Sequence, residues 1–339
     1  MLAYGRAVFP LGGVHGTRRA EAHPVKLAWL FPGQGAQAVG MGRDVFDSSA
    51  EARAIFEQAD EALGEALSKL CFEGPIDQLT LTANTQPAIV TTSAAILAAV
   101  RERLGDLPSP AFVAGHSLGE YSALWAAGAL SLSDAVRITR VRGKAMQDAV
   151  PPGRGAMAAI MNLGGGAVAE LCADATTSEQ VVSCANFNAP TQTVIAGHQE
   201  AVARVRDLAK AAGGKAIPLN VSAPFHCSLM QPAQDAVAKA LGEADVNAPT
   251  IPVLANVDAS PKEDGEAVKA ALVAQVDSPV QWVKTIERLR AEGVTHALEV
   301  GPGRVLAGLA RRIDKDLGVL SVGSTSAIDK IPSFLGLED

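Results

Sequence analysis

The sequence predicts an α/β fold: a core of parallel strands, interrupted by a small subdomain of different rhythm. Two observations predict it. Apolar strands alternate with turns and helical stretches toward both ends of the 339-residue chain, as in a parallel sheet crossed by helices. Between them, residues 153–221 read strand–helix–strand–strand–helix–strand, the ferredoxin-like βαββαβ order that closes on itself as a small domain.

The elements follow in chain order. Lys26–Phe31 is a short buried strand, followed by a Gly-rich turn and a helical stretch from Arg43 to Leu63. Gln86–Leu104 is a second helix, and Ala111–Gly115 is an apolar strand with a helix starting at once from Leu118. Ser133–Val150 is helical. In the small subdomain the strands are Ala156–Asn162, Val181–Phe187, Gln192–Ala196 and Lys215–Val221, with helices Gly165–Ala173 and Gln199–Ala212. Pro151-Pro152-Gly153 and Pro224 are its hinges. Beyond it, Ile251–Asn256 and His296–Val300 are strands and Glu266–Val276 a helix. Ser278-Pro279 supplies the N-cap and first residue of a helix running to Ala291. The expected organisation is a disordered leader over 1–25, a discontinuous core over 26–150 and 223–320, the small subdomain over 151–222, and a C-terminal tail over 321–339.

Bulk properties exclude several classes. With 48% hydrophobic and 19% charged residues, the chain is a soluble globular protein. Its net charge of −7 argues against nucleic acid or an anionic membrane as a partner, so an acidic partner would need a local basic patch. The uncharged stretch Gln78–Val100 is broken by Thr, Asn, Gln and Pro, which argues against a membrane span. Cys71, Cys172, Cys184 and Cys227 show no metal-ligand spacing and are read as free thiols in a reducing cytoplasm, with no metal site. Residues Met1–Ala20 of the leader carry Arg6, Arg18 and Arg19 without an acid. A disordered segment or a misassigned start is favoured there over a transit peptide, because Ser is absent.

Gly115-His-Ser-Leu-Gly119 matches G-x-S-x-G between an apolar strand and a helix. That context pushes Ser117 out of the sheet on a strained turn which flanking glycines make room for. Unpaired N–H groups at the helix start, Leu118 among them, can stabilise an oxyanion. The nucleophile needs a base, and there are six histidines. His15 and His23 lie in the leader, and His116 is expected to point away from the turn. His198 and His296 sit at element edges. His226, in a loop made stiff by Pro224, is the best candidate, although a structural histidine is the commoner role.

Arg142 shares the helical stripe of Ala135, Ile138, Ala145 and Ala149. An unpaired buried guanidinium would cost several kcal/mol, so it requires an anionic partner or an escape to the surface. The residues alone lean slightly to an internal salt bridge or a snorkelling side chain over a bidentate grip on a substrate carboxylate. Gly33-Gln-Gly-Ala-Gln-Ala38 raises a dinucleotide site as a rival. The acid such a site needs about 20 residues on would fall in a helix here, which counts against it. The loop is read instead as a source of the second oxyanion donor.

Together, Phe31-Pro-Gly-Gln-Gly-Ala-Gln37, Gly115-His-Ser-Leu-Gly-Glu-Tyr-Ser122, Arg142-Gly-Lys-Ala-Met146, Ser222-Ala-Pro-Phe-His-Cys227, Gln275-Val-Asp-Ser-Pro-Val-Gln-Trp282 and Glu299-Val-Gly-Pro-Gly303 resemble bacterial malonyl-CoA:acyl-carrier-protein transacylases and related polyketide-synthase acyltransferase domains. The resemblance is collinear from Lys26 to Asp314. It implies a hydrolase-like α/β core with the ferredoxin-like insertion. It implies Ser117 as nucleophile, His226 as base, the N–H groups of Gln34 and Leu118 as oxyanion hole, and Arg142, with Gln34, as the substrate-binding residues. It also implies that the main-chain carbonyl of Gln275 orients His226 in place of an aspartate. A helix ending at that position leaves such a carbonyl free, and on this reading Gln275→Ala is mild.

The implied reaction moves malonyl from malonyl-CoA to an acyl carrier protein in fatty acid biosynthesis, through a Ser117 ester. It needs no cofactor, and the expected enzyme is a cytoplasmic monomer. The carrier would be acidic, with Arg204, Arg206 and Lys210, or Arg311, Arg312 and Lys315, as docking candidates or as ordinary solvated helix faces. The alternatives are a polyketide or malonate-decarboxylase acyltransferase, a serine thioesterase or esterase, and a catalytically idle acyl-presenting subunit.

Overall fold

The computed structural model describes residues 25–105, 107–221 and 223–337; the expected leader falls almost wholly outside them. The core sheet is built from β1 (Leu27–Phe31), β2 (Phe112–Gly115), β7 (Val253–Leu254), β8 (His296–Val300) and β9 (Gly318–Val322), in the order β7-β2-β1-β8-β9. All its pairings are parallel. β1 lies at its centre and is buried throughout, as a continuous apolar run in a doubly covered sheet should be. Its residues alternate between two cores. Leu27, Trp29 and Phe31 join the larger one, and Ala28 and Leu30 the smaller, as a side-chain period of two requires.

The second sheet holds β3 (Gly155–Met161), β4 (Val182–Ala189), β5 (Gln192–His198) and β6 (Lys215–Pro218), in the order β4-β5-β3-β6 and all antiparallel. Helices Gly165–Ala175 and Gln199–Ala211 cover it around a third core. This is the ferredoxin-like arrangement read from the sequence.

Several boundaries differ from expectation. The stretch Arg43–Leu63 is two helices, because Ser49 leaves the helical region and its side chain caps the second from Ala52 N–H. The helix expected over Gln86–Leu104 begins at Thr82, with Pro87 tolerated in its first turns. None of the described helices is long and apolar enough to cross a membrane. β6 is shorter than Lys215–Val221, and β7 spans only two residues.

Ser278-Pro279 does not start a helix. The adjacent Val280 exchanges main-chain hydrogen bonds with β4, donating to Ala185 O and accepting from Phe187 N, both at 2.9 Å, and the helix begins at Trp282. Residues from 321 onward, expected as a tail, complete β9 and form helices Thr325–Ile328 and Ile331–Leu335, which bury Ile328, Ile331 and Leu335. Their apolar residues are spaced too sparsely over short elements to declare a period.

Sheet register positions the site. Phe31 pairs with Gly115, so the loops leaving the carboxyl ends of β1 and β2 emerge side by side. In open parallel sheets such ends are where ligands bind.

Candidate active site

Ser117 sits between β2 and helix Gly119–Ala126 with φ 53°, a left-handed conformation that costs a non-glycine residue about 1–3 kcal/mol. Its neighbours have no room for side chains. A Cβ at Gly115 would lie 1.9 Å from Gly119 C, and one at Gly119 would lie 2.3 Å from Phe31 O. Hydrogen bonds hold the strained residue on both sides. Ser117 N–H donates to Asn256 Oδ1 at 2.6 Å, and Ser117 O accepts from Gln275 Nε2 at 3.0 Å. Asn256 is itself fixed, donating through Nδ2 to Gly115 O at 2.6 Å and through its main-chain N–H to Glu120 Oε2 at 3.0 Å.

His226 lies beyond β6 in a loop where it, too, takes a positive φ, 59°. Its Nε2 is 2.7 Å from Ser117 Oγ and its Nδ1 is 2.9 Å from Gln275 O. A carbonyl only accepts, so Nδ1 carries the proton and Nε2 is left as an acceptor for the serine hydroxyl. The carbonyl is available because Gln275 ends helix Gly265–Gln275. Burial, reinforced by the nearby Arg142 charge, pushes the imidazole down to about 3.

Arg142 comes from helix Leu132–Asp148 and is 1% exposed. One terminal nitrogen donates to Gln86 Oε1 at 2.6 Å; the other donates to Gln275 Oε1 at 2.8 Å and Ser117 Oγ at 3.1 Å. The Tyr121 ring lies 5.8 Å from the guanidinium carbon. Among the described residues no carboxylate forms an ion pair with it. The internal salt bridge and the snorkelling side chain, both left open by the sequence, are therefore not what the fold builds. A buried cation remains, dressed with neutral acceptors and facing a cleft.

That cleft has a volume of about 120 Å³ and lies between the core and the small subdomain, with Gln34, Arg142 and Met146 on one side and Met157, Asn186 and Leu219 on the other. Ser117, Leu118 and His226 also line it. The main-chain N–H groups of Gln34 and Leu118 donate to no acceptor among the described residues. The Gln34 side chain accepts from Thr82 Oγ1 at 2.7 Å. Its loop packs on the elbow, since a Cβ at Gly33 would lie 2.5 Å from His116 O. No strand follows at the distance a dinucleotide site needs; helix Ala50–Leu63 occupies that stretch.

Three residues depart from expectation. His116 does not point away: it lines the cleft, with Nε2 2.8 Å from Asn188 Oδ1 and its ring edge-on to Trp282. Gln275 contributes more than a carbonyl, because its fully buried carboxamide joins Arg142, Ser117 and Glu120. Arg204 is half-buried and occupied by Ala175 O and Gln180 Oε1. Asn256, Glu120 and Gln86 had no assigned role in the sequence. Glu120 alone stood inside a quoted motif, and burial lifts its carboxyl to about 7. Of the remaining histidines, His198 accepts from Val181 N–H and His296 packs on Phe334, both away from the cleft; His15 and His23 lie outside the described residues.

Known proteins resemble the chain over most of its length. Residues 28–318 match the family model described as "Acyl transferase domain". The malonyl CoA-acyl carrier protein transacylase of Escherichia coli K12 is 48% identical, over 89% of this chain and 97% of its own. The solved transacylase of Coxiella burnetii superposes with a TM-score of 0.89 at 41% identity, covering 92% of this chain and 98% of that one. A malonyl-transacylase solved in complex with a type II polyketide-synthase acyl-carrier protein superposes at 0.87 with 42% identity, covering 92% of this chain and all of that one. By extent and identity of match alike, the chain belongs to the acyl transferase family, among the malonyl CoA-acyl carrier protein transacylases.

Proposed function

We propose that the protein transfers malonyl from malonyl-CoA to the phosphopantetheine thiol of an acyl carrier protein, through a malonyl ester on Ser117, in fatty acid biosynthesis. The observation that carries this reading is Arg142: a buried guanidinium without an ion-pair partner among the described residues, 3.1 Å from the Ser117 hydroxyl. An acyl group bearing a free carboxylate supplies the missing anion at the right distance from the reacting carbonyl.

His226 Nε2 takes the Ser117 proton as Oγ attacks the thioester carbonyl. The tetrahedral oxyanion receives the N–H groups of Gln34 and Leu118. Collapse breaks the C–S bond, and His226 returns its proton to the departing thiolate of coenzyme A. The carrier's thiol then gives its proton to His226 and attacks the ester. The second collapse frees Ser117, which recovers the proton. Nδ1–H on Gln275 O keeps the same tautomer through both halves. The exchange balances with protein groups alone. The malonyl carboxylate has a second effect: burial chiefly holds His226 weakly basic and the Arg142 charge adds to it, and the carboxylate offsets that second contribution, so the correct substrate strengthens the base.

We further propose that the enzyme acts as a monomer. We assign it to the cytoplasm, where its four unpaired cysteines stay reduced. Of the two basic clusters, Arg311, Arg312 and Lys315 are exposed and form the better docking surface for an acidic carrier.

Intact-protein mass spectrometry after brief exposure to malonyl-CoA tests the proposal. The wild type should hold one malonyl group until carrier protein is added, and Ser117→Ala should hold none. A full adduct on the alanine variant would refute the nucleophile. Rapid loss of the adduct in water alone would favour a thioesterase.

A further inference from the structure

Gln275 acts at its two ends on different partners. Its main-chain carbonyl meets His226, while its carboxamide lies between Arg142 and Glu120. A carboxamide can be seated in two ways, related by a half-turn that exchanges oxygen for NH₂. Only one serves here. With Oε1 toward Arg142 the guanidinium has an acceptor at 2.8 Å; with NH₂ there, donor would face donor and the guanidinium would be pushed out of position.

Ser117 O at 3.0 Å and Glu120 Oε2 at 2.7 Å choose between the two, since both accept from Nε2. Glu120 is 3% exposed and lies outside the cleft lining. The same Oε2 also takes Asn256 N–H at 3.0 Å, so one oxygen anchors both the residue behind the clamp and the residue behind the elbow.

We propose that Glu120 is a specificity-positioning residue: by accepting Nε2–H it fixes which end of the Gln275 carboxamide faces Arg142, and so sets the preference for a carboxylated acyl group without touching it. The inference rests on the malonyl reading above. Because both donors meet a single oxygen, a glutamine at this position can satisfy both through its carbonyl; Asn256 N–H demands that oxygen there, which keeps Gln275 seated as before. An aspartate keeps the charge but is one carbon shorter, about 1.5 Å, on a helix whose backbone is fixed against Phe31 O. It cannot reach both donors.

The test is competitive loading from equimolar malonyl-CoA and acetyl-CoA, read as the ratio of the two adducts by intact mass, on wild type, Glu120→Gln and Glu120→Asp, with thermal unfolding run on each. A wild type without malonyl preference would sink the functional reading, independently of the variants. With that preference present, Glu120→Asp should lose at least about tenfold in the ratio, and Glu120→Gln should stay within about threefold of wild type. A wild-type ratio in Glu120→Asp overturns the inference, as does a Glu120→Gln ratio that falls as far as the aspartate's. Should the aspartate variant not fold, Glu120→Met, whose thioether is only a weak acceptor, takes its place: a ratio at least about tenfold below wild type supports the inference and a wild-type ratio ends it.

Discussion

Replacing Gln275 by alanine separates its two contributions, because the main-chain carbonyl that meets His226 survives the change. The sequence alone makes this substitution mild. The structure makes it severe. The carboxamide gives three hydrogen bonds, to Arg142 at 2.8 Å, Glu120 at 2.7 Å and Ser117 O at 3.0 Å, and the first two involve ionisable groups buried beside it. Hydrogen bonds to charged groups contribute about 1.5–3 kcal/mol each, and a buried partner left unsatisfied loses its full desolvation energy. Taking the lower figure for both gives about 3 kcal/mol of lost stability, with the neutral bond to Ser117 O offset by water entering the space left. Urea unfolding at about pH 8, where the Glu120 carboxyl is mostly ionised, measures it. Loading should suffer as well, since Arg142 and the elbow both lose a fixed neighbour; a loss of about 3 kcal/mol at the transition state is roughly a hundredfold in rate. Stability within 1 kcal/mol of wild type, together with loading within about threefold, would show that only the carbonyl matters and that the buried network is incidental.

Three further outcomes follow from the same geometry. Arg142→Ala should lower malonyl loading by about 10²–10³-fold, the value of two charge-assisted hydrogen bonds, while leaving acetyl loading nearly intact; equal losses would return Arg142 to a structural role. Gly119→Ala should cost at least about 3 kcal/mol or prevent folding, because its Cβ would meet Phe31 O, a backbone atom, at 2.3 Å; wild-type stability in urea would contradict the elbow packing. His226, held down to about 3 from 6.5, should stay neutral to pH 4 in ¹⁵N-histidine NMR of the free enzyme, and protonation near 6.5 would contradict its burial beside Arg142. The sign for stability is then fixed: between 6.5 and 3 the unfolded chain binds a proton that the folded chain does not, so His226 weakens the fold as pH falls through that window. Glu120, raised from 4.5 to about 7, acts in the opposite sense: its contribution is present below 4.5 and lost as pH rises through 7.

The sequence was most legible where chemistry and local structure impose the same residues. Gly115 and Gly119 stand where a Cβ would strike backbone, so the turn that exposes Ser117 writes itself into neighbouring positions and can be read from them. The βαββαβ order was readable for a similar reason, each element carrying its own period. Arg142 was readable as an anomaly but not as a role. A helical stripe shows that a guanidinium is buried, whereas the partner that decides its purpose comes from distant segments: Gln86 lies 56 residues away and Gln275 lies 133 away. Periodicity cannot see such pairs. Resemblance to a family suggests the role we propose, and the structure supports it with a cation that has neutral acceptors and, among the described residues, no ion-pair partner.

Gln275 shows the limit from the other side. A helix-end carbonyl is a backbone property, which any residue could offer, so a reading built on that carbonyl has no use for the side chain. The use appears only when Glu120, Asn256 and Arg142 are seen around it. Glutamine is the residue that donates at one end and accepts at the other, and this position needs both at once: a donor toward a carboxylate and an acceptor toward a guanidinium that must not be neutralised. A carboxylate there would pair with Arg142 and remove the attraction for a substrate anion; a lysine would repel it. The carboxamide carries the influence of Glu120 to the clamp as a fixed dipole and leaves the clamp's positive charge to be satisfied from the cleft.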